Sequence, residues 1–141
     1  MLTEANDFMF SVLQGSGSDV FESVYNADGG YVWNNKDVAY PSVCFEILSI
    51  QTTESTNVYN YRVTAANRQT EGIEGTTQEN YNLLFTALET AFNEYEQPTA
   101  YNESLFSISQ SRNYQFAPLK LMDVCAVCSV DISVTEYVGE C

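Results

Sequence analysis

From Val124 to Val134 an apolar or thiol side chain falls on every second residue: Val124, Ala126, Cys128, Val130, Ile132 and Val134, with largely polar or small residues between them. Only an extended chain places alternate side chains on one face, so this run predicts a long strand with one face buried. A strand needs partners for its backbone groups, and two further segments offer them. Pro41 introduces Ser42 to Gln51, with Val43, Phe45 and Ile47 on one face and Cys44, Leu48 and Ile50 on the other. Apolar residues on both faces predict a strand covered on both sides. Thr52 to Asn57 is a polar turn, and Val58 to Asn67 is the returning strand, in which Tyr59, Tyr61, Val63 and Ala65 alternate with Asn60, Arg62 and Thr64. Asp28-Gly29-Gly30 is a turn signal, after which Tyr31-Val32-Trp33 reads as a short strand.

The helical period appears elsewhere. Leu2, Phe8, Met9, Val12 and Leu13 fit one face of a short N-terminal helix, with Thr3 as its cap and Gly15 as its end. Gly15 to Ser18 is a link, and Asp19 to Tyr25 reads as a further helical turn presenting Val20, Phe21 and Val24. The clearest helix runs from Gln78 to Glu96. Tyr81, Leu84, Phe85, Leu88, Phe92 and Tyr95 form its apolar stripe, Thr76 and Glu79 have capping-box spacing, and Pro98 ends it. Gln69 to Thr77 is a glycine-bearing loop, and Thr99 to Ser111 fits neither period cleanly. The order is helix, three strands, helix, then one or two strands. It predicts a single α+β domain over residues 1–141: a two-layer sandwich of a mainly antiparallel sheet, with the long helix packed across one face and a short N-terminal helix.

Charge narrows the partners. Nineteen acidic residues face five basic ones (Lys36, Arg62, Arg68, Arg112 and Lys120), a formal net charge of -14. Such a surface repels phosphate, which argues against specific nucleic-acid binding and against anionic membranes. The acidity serves solubility, or forms a wall facing a channel or a basic partner. No segment is apolar for long enough to span a bilayer, and Met1 to Phe10 lack the basic start and unbroken apolar stretch of a signal peptide. The expected compartment is the cytoplasm, where Cys44, Cys125, Cys128 and Cys141 are reduced thiols.

The chemistry expected of an enzyme is sparse. There is no histidine, which removes the commonest general base and most catalytic zinc sites, and no phosphate-binding or dinucleotide fingerprint. Cys125-Ala-Val-Cys128 has redox or zinc spacing, yet it lies inside a strand pattern, where positions three apart point to opposite faces. The reading is core thiols. The alternatives are a zinc site in which Cys44 and Cys141 join the pair, or a disulfide. Glu71 and Glu74, in the glycine-bearing loop, are the carboxylate pair of a hydrolase reading; tyrosine richness is the argument for a ligand-binding module. No catalytic, metal-binding or cofactor residues are assigned, and the chain is read as a non-enzymatic subunit of an assembly.

The order of these elements resembles the tail terminator and tail-completion (head–tail joining) family of tailed bacteriophages. The stretch Asp37 to Glu46, Asp-Val-Ala-Tyr-Pro-Ser-Val-Cys-Phe-Glu, is similar to that family's main strand opening after a proline. Asn57 to Thr64 resembles its return strand, Gln78 to Glu96 its crossing helix, and Val124 to Val138 its final strand. Asp19 to Tyr25 and Thr99 to Ser111 are extra material against that pattern. The resemblance implies a virion protein forming a ring of identical subunits, commonly six, that caps the tail tube and contacts neck or connector proteins while DNA passes through the channel. Its lateral contacts are expected at the Gly15 to Ser18 link, at Gln69, Glu71, Gly72, Glu74 and Gly75 in the loop to Thr77, and at Glu136, Tyr137 and Val138 in the segment to Cys141, with Glu71 and Glu74 nearest the channel.

Overall fold

The computed structural model describes residues 2–14, 21–26, 41–68, 76–101, 104–120 and 124–137. In chain order these form α1 (Leu2–Gln14), β1 (Ser23–Asn26), β2 (Ser42–Thr52), β3 (Thr56–Arg68), α2 (Thr76–Asn93), β4 (Thr99–Tyr101), β5 (Ser104–Ile108), β6 (Tyr114–Lys120) and β7 (Val124–Tyr137). The protein is mixed α and β, with two helices and one curled, mostly antiparallel sheet of seven strands.

The long period-two run becomes the axis of that sheet. One edge of β7 pairs antiparallel with β3 from Cys125↔Arg68 to Tyr137↔Thr56. Its other edge is shared by two strands in succession, β6 along Val124–Val130 and β5 along Val134–Tyr137. Where the chain passes between them, Ser109 fills the gap: its amide donates to the Ser133 carbonyl at 2.9 Å, and its hydroxyl accepts from the Ser133 amide at 3.2 Å. The order across the sheet is β1-β2-β3-β7-β5-β4, with β6 beside β7.

One face of this sheet carries the core. Val43 and Phe45 from β2, Tyr59, Tyr61, Val63 and Ala65 from β3, Phe106 and Ile108 from β5, and Cys128, Val130, Ile132 and Val134 from β7 form one cluster with both helices. From α1 come Ala5, Phe8, Met9, Val12 and Leu13, the i, i+3, i+4, i+7, i+8 spacing of a single helix face. Phe8 stacks on Phe106 at 4.8 Å and meets Tyr95 edge-on at 5.3 Å, joining α1 to the chain that leaves α2. From α2 come Leu84, Leu88, Ala91 and Phe92. Burying twenty or so such side chains is the dominant favourable term in folding.

The structure departs from the sequence reading at definite points. Ser23–Asn26 is a strand, not a helical turn, and it pairs parallel with Ser42–Phe45, so the sheet is not wholly antiparallel. Local periodicity could not separate these states over four residues; the open edge of β2 decides. Four strands follow α2, not one or two: β4 and β5 resolve the ambiguous stretch, and β6 lies where no element was assigned. Thr3 lies within the first turn of α1, which starts at Leu2. Helix α2 stops at Asn93, five residues before Pro98, and the Tyr95 amide and carbonyl are taken by the Phe92 carbonyl and the Ile108 amide. Along α2 the buried face is Leu84, Ala87, Leu88, Ala91 and Phe92, whereas Phe85 is exposed. Strand β2 is buried on both faces only from Ser42 to Phe45, with Ser42 and Cys44 on one face and Val43 and Phe45 on the other. Its register slips between Ile47 and Ser49, so Leu48 is a bulge, and Ile50, opposite Tyr59, lies on the face of Phe45 rather than that of Cys44. Beyond Phe45 no described strand pairs the outer edge of β2, and Leu48 and Ile50 are exposed. Tyr31 to Trp33 lies outside the described residues.

Candidate functional site

The described residues form three polar clusters and one apolar groove, each positioned by the sheet or by α2. The first cluster surrounds Arg112, in the short connection from β5 to β6. Its guanidinium donates to Glu89 Oε1 at 2.9 Å, Glu96 Oε2 at 2.9 Å, Asn93 Oδ1 at 2.6 Å and the Ser109 carbonyl at 2.7 Å, and it lies 5.8 Å from the centre of the Phe92 ring. The side chain is 3% exposed, its two carboxylate partners 29% and 28%. The Tyr114 hydroxyl also donates to Glu89. Burial by itself would raise the Glu89 carboxyl; the hydrogen bonds from Arg112 and Tyr114 outweigh it and hold the group below the usual carboxylate range. A cation here also meets the negative end of the α2 dipole. The cluster ties the end of α2 to the start of β6.

The second cluster is buried beneath β3 and β7. Glu136 is 1% exposed and accepts from the Tyr59 hydroxyl at 2.8 Å and from Asn57 Nδ2 at 3.2 Å. Desolvation pushes this carboxyl up, and the hydrogen bonds from Tyr59 and Asn57 bring it below its ordinary value. Tyr59 is pushed up to about 12, by burial first and by its bond to Glu136 second. Both Glu89 and Glu136 are therefore stabilised as anions, the opposite of the raised carboxyl that acts as a general acid near neutrality. Position 136 continues the phase of Val130, Ile132 and Val134, so a carboxylate on the buried face was a signal present in the sequence.

The third cluster lies on the sheet's other face. Arg62 pairs with Asp131 across β3 and β7, Nε to Oδ1 at 3.0 Å and Nη2 to Oδ2 at 3.4 Å, both side chains being about half exposed. Beside them Asn60 donates to Ser49 Oγ at 3.0 Å and accepts from Ser133 Oγ at 2.7 Å. Arg62, Asn113, Gln115, Ser129, Val130 and Asp131 line an open polar cleft of about 440 Å³.

The apolar groove runs between α2 and β6. Gln78, Tyr81, Asn82, Phe85 and Phe116 line about 220 Å³ of it. Tyr81 and Phe116 lie 5.0 Å apart, and Phe85 meets Tyr114 edge-on at 4.9 Å.

Of the residues expected to form lateral contacts, Gln69, Glu71, Gly72, Glu74, Gly75 and Val138 lie outside the described residues, as do residues 15–18. Glu136 is turned into its own subunit. Tyr137 reaches the surface, with its hydroxyl 3.2 Å from that of Ser107. Cys44 and Cys128 are both buried. Cys44 lies opposite Thr64, and Cys128 opposite Ala65, so the two occupy opposite faces of the sheet. One zinc ion cannot collect both, which removes the four-cysteine site. Among the described residues no group of three or more acidic, cysteine or histidine side chains is placed to hold a metal, and no helix is long and apolar enough to cross a membrane. No described protein family matches the chain, and no curated protein matches it.

Proposed function

We propose that the chain is a structural virion protein resembling a tail terminator: a ring, with six subunits the expected number, that caps a bacteriophage tail tube and joins it to neck or connector proteins, with DNA passing through its channel. The carrying observation is the layout at the centre of the fold. Strands β2, β3 and β7 lie side by side, and α2, inserted between β3 and the later strands, packs into the same core face. This supports the finer reading of a two-layer sandwich with the long helix across one face. The segments that exceed the family's pattern became β1 and β4–β5, which take positions at the margins of the sheet. The net charge of -14 suits a channel wall past which DNA slides without sticking. No cofactor, membrane or specific nucleic-acid site is part of this reading, and the protein is made in the host cytoplasm before joining the tail.

A ring arises when a head-to-tail contact between identical subunits closes on itself. Acidic subunits repel one another, and salt screens that repulsion, so assembly should strengthen as ionic strength rises. Native mass measurement across a salt series tests this, with a discrete closed species as the expected result. A protein that stays monomeric at high concentration and salt, and is also absent from purified tails, refutes the proposal. The second reading is a ligand-binding module, favoured by the polar cleft around Arg62 and Asp131; the same measurement would then return a monomer.

A further inference from the structure

We infer that, in the ring just proposed and resting on that reading, the β2–β3 hairpin of one subunit seats Leu48 and Ile50 in the aromatic groove between α2 and β6 of the next. Leu48, Ile50 and Phe116 are 45%, 46% and 44% exposed, large apolar side chains left open at two places on the surface. Exposed apolar patches of this kind mark association surfaces. Their positions decide the geometry. In the sheet, β2 and β6 are separated by β3 and β7, so the patches sit at opposite edges. They also sit at opposite ends of the strands: β6 is level with the Ala126–Val130 part of β7 and hence with the start of β2, while the hairpin tip is level with the far end of β7. Neither patch covers the other within one subunit.

Among the described residues the outer edge of this hairpin is open, since β1 pairs β2 only along Ser42–Phe45. From Leu48 onward β2 is exposed, and the turn is held by its own threonines, with the Thr53 amide donating to the Thr56 carbonyl at 2.8 Å and the two hydroxyls 2.9 Å apart. The bulge at Leu48 turns Ile50 to the helix-bearing face, the face on which the groove opens. Charge selects the occupant. In a chain of net charge -14, Ile47 to Thr53 carry no charge, and neither does any residue lining the groove. Two copies of a strongly acidic chain approach most easily through uncharged patches, because each charged face repels its counterpart. A two-fold contact of groove on groove would leave the hairpin open. A head-to-tail contact covers both patches and propagates in one direction, as a ring requires.

The test uses two full-length variants, Ile50→Glu and Phe116→Glu, both at exposed positions and both checked for a wild-type circular dichroism spectrum. Each alone should weaken self-association roughly tenfold or more, since a carboxylate in an apolar contact centre is an unpaired charge. The Ile50→Glu chain keeps an intact groove and the Phe116→Glu chain an intact hairpin. Mixed one to one, they should form a heterodimer that cannot extend, visible by native mass measurement. If wild type assembles and both variants assemble equally well, the contact is wrong and the ring stands. If the variants fail singly and the mixture stays monomeric, the two patches do not meet. Wild type that never self-associates in solution overturns the contact, whereas the ring reading falls only if the protein is also missing from tails.

Discussion

Replacing Arg112 by methionine isolates what one buried cation does for this fold. Methionine keeps an unbranched stem beside Phe92 and removes four acceptors' donor: Glu89, Glu96, Asn93 and the Ser109 carbonyl. Breaking a fully buried ion pair costs about 3–5 kcal/mol, because the remaining charge is stranded without water. Here the two carboxylates are a little under one-third exposed and take up some water once the guanidinium is gone. Solvent screening therefore lowers the expected loss, to about 2–3 kcal/mol. Urea unfolding reads it directly: with a slope of about 1–3 kcal/mol per molar, the midpoint should fall by about 1 M at unchanged slope. The pH profile gives the sign. Glu89 titrates below its ordinary range in the folded protein, so its stabilising share is complete above the unfolded value, about 4.3, and is lost as pH falls through the lower folded value. In Arg112→Met that acid-side loss should be smaller. A stability change under about 0.5 kcal/mol, the range of ordinary surface substitutions, or an acid profile identical to wild type, would refute the argument.

Leu88→Ala empties a fully buried site in the core face of α2 and should cost about 2–5 kcal/mol in the same unfolding assay; a loss near zero would mean that this face does not pack on the sheet. Cys128, buried and pushed up to about 12 by desolvation, should react with a thiol reagent only on unfolding, and prompt reaction in the native protein would contradict its place under the helices. Protein purified without chelator should contain no stoichiometric zinc by elemental analysis; one zinc per chain, lost on changing Cys125 and Cys128, would overturn the reading of Cys128 as a core thiol of β7.

The sequence by itself determined the elements whose side chains repeat over ten residues or more. The alternation from Val124, the tyrosine-rich return strand and the leucine stripe of α2 could each satisfy their periodicity in only one backbone state, and all three form the expected kind of element, the helix running Thr76–Asn93 rather than Gln78 to Glu96. Short segments were different. Ser23–Asn26 and Thr99–Tyr101 are too brief for any period to show, and they are strands because a neighbouring edge offers unpaired amides and carbonyls. The bulge at Leu48 was equally silent, since one inserted residue changes no local preference yet moves Ile50 to the other face. Arg112 stood out only as one of five cations; that it gathers Glu89, Asn93, Glu96 and Ser109 depended on bringing the end of α2 against the β5–β6 connection. Periodicity is a property of consecutive residues, and it specifies single elements. Edges, bulges and buried charges are settled between elements distant in the chain, so only the assembled sheet decides them.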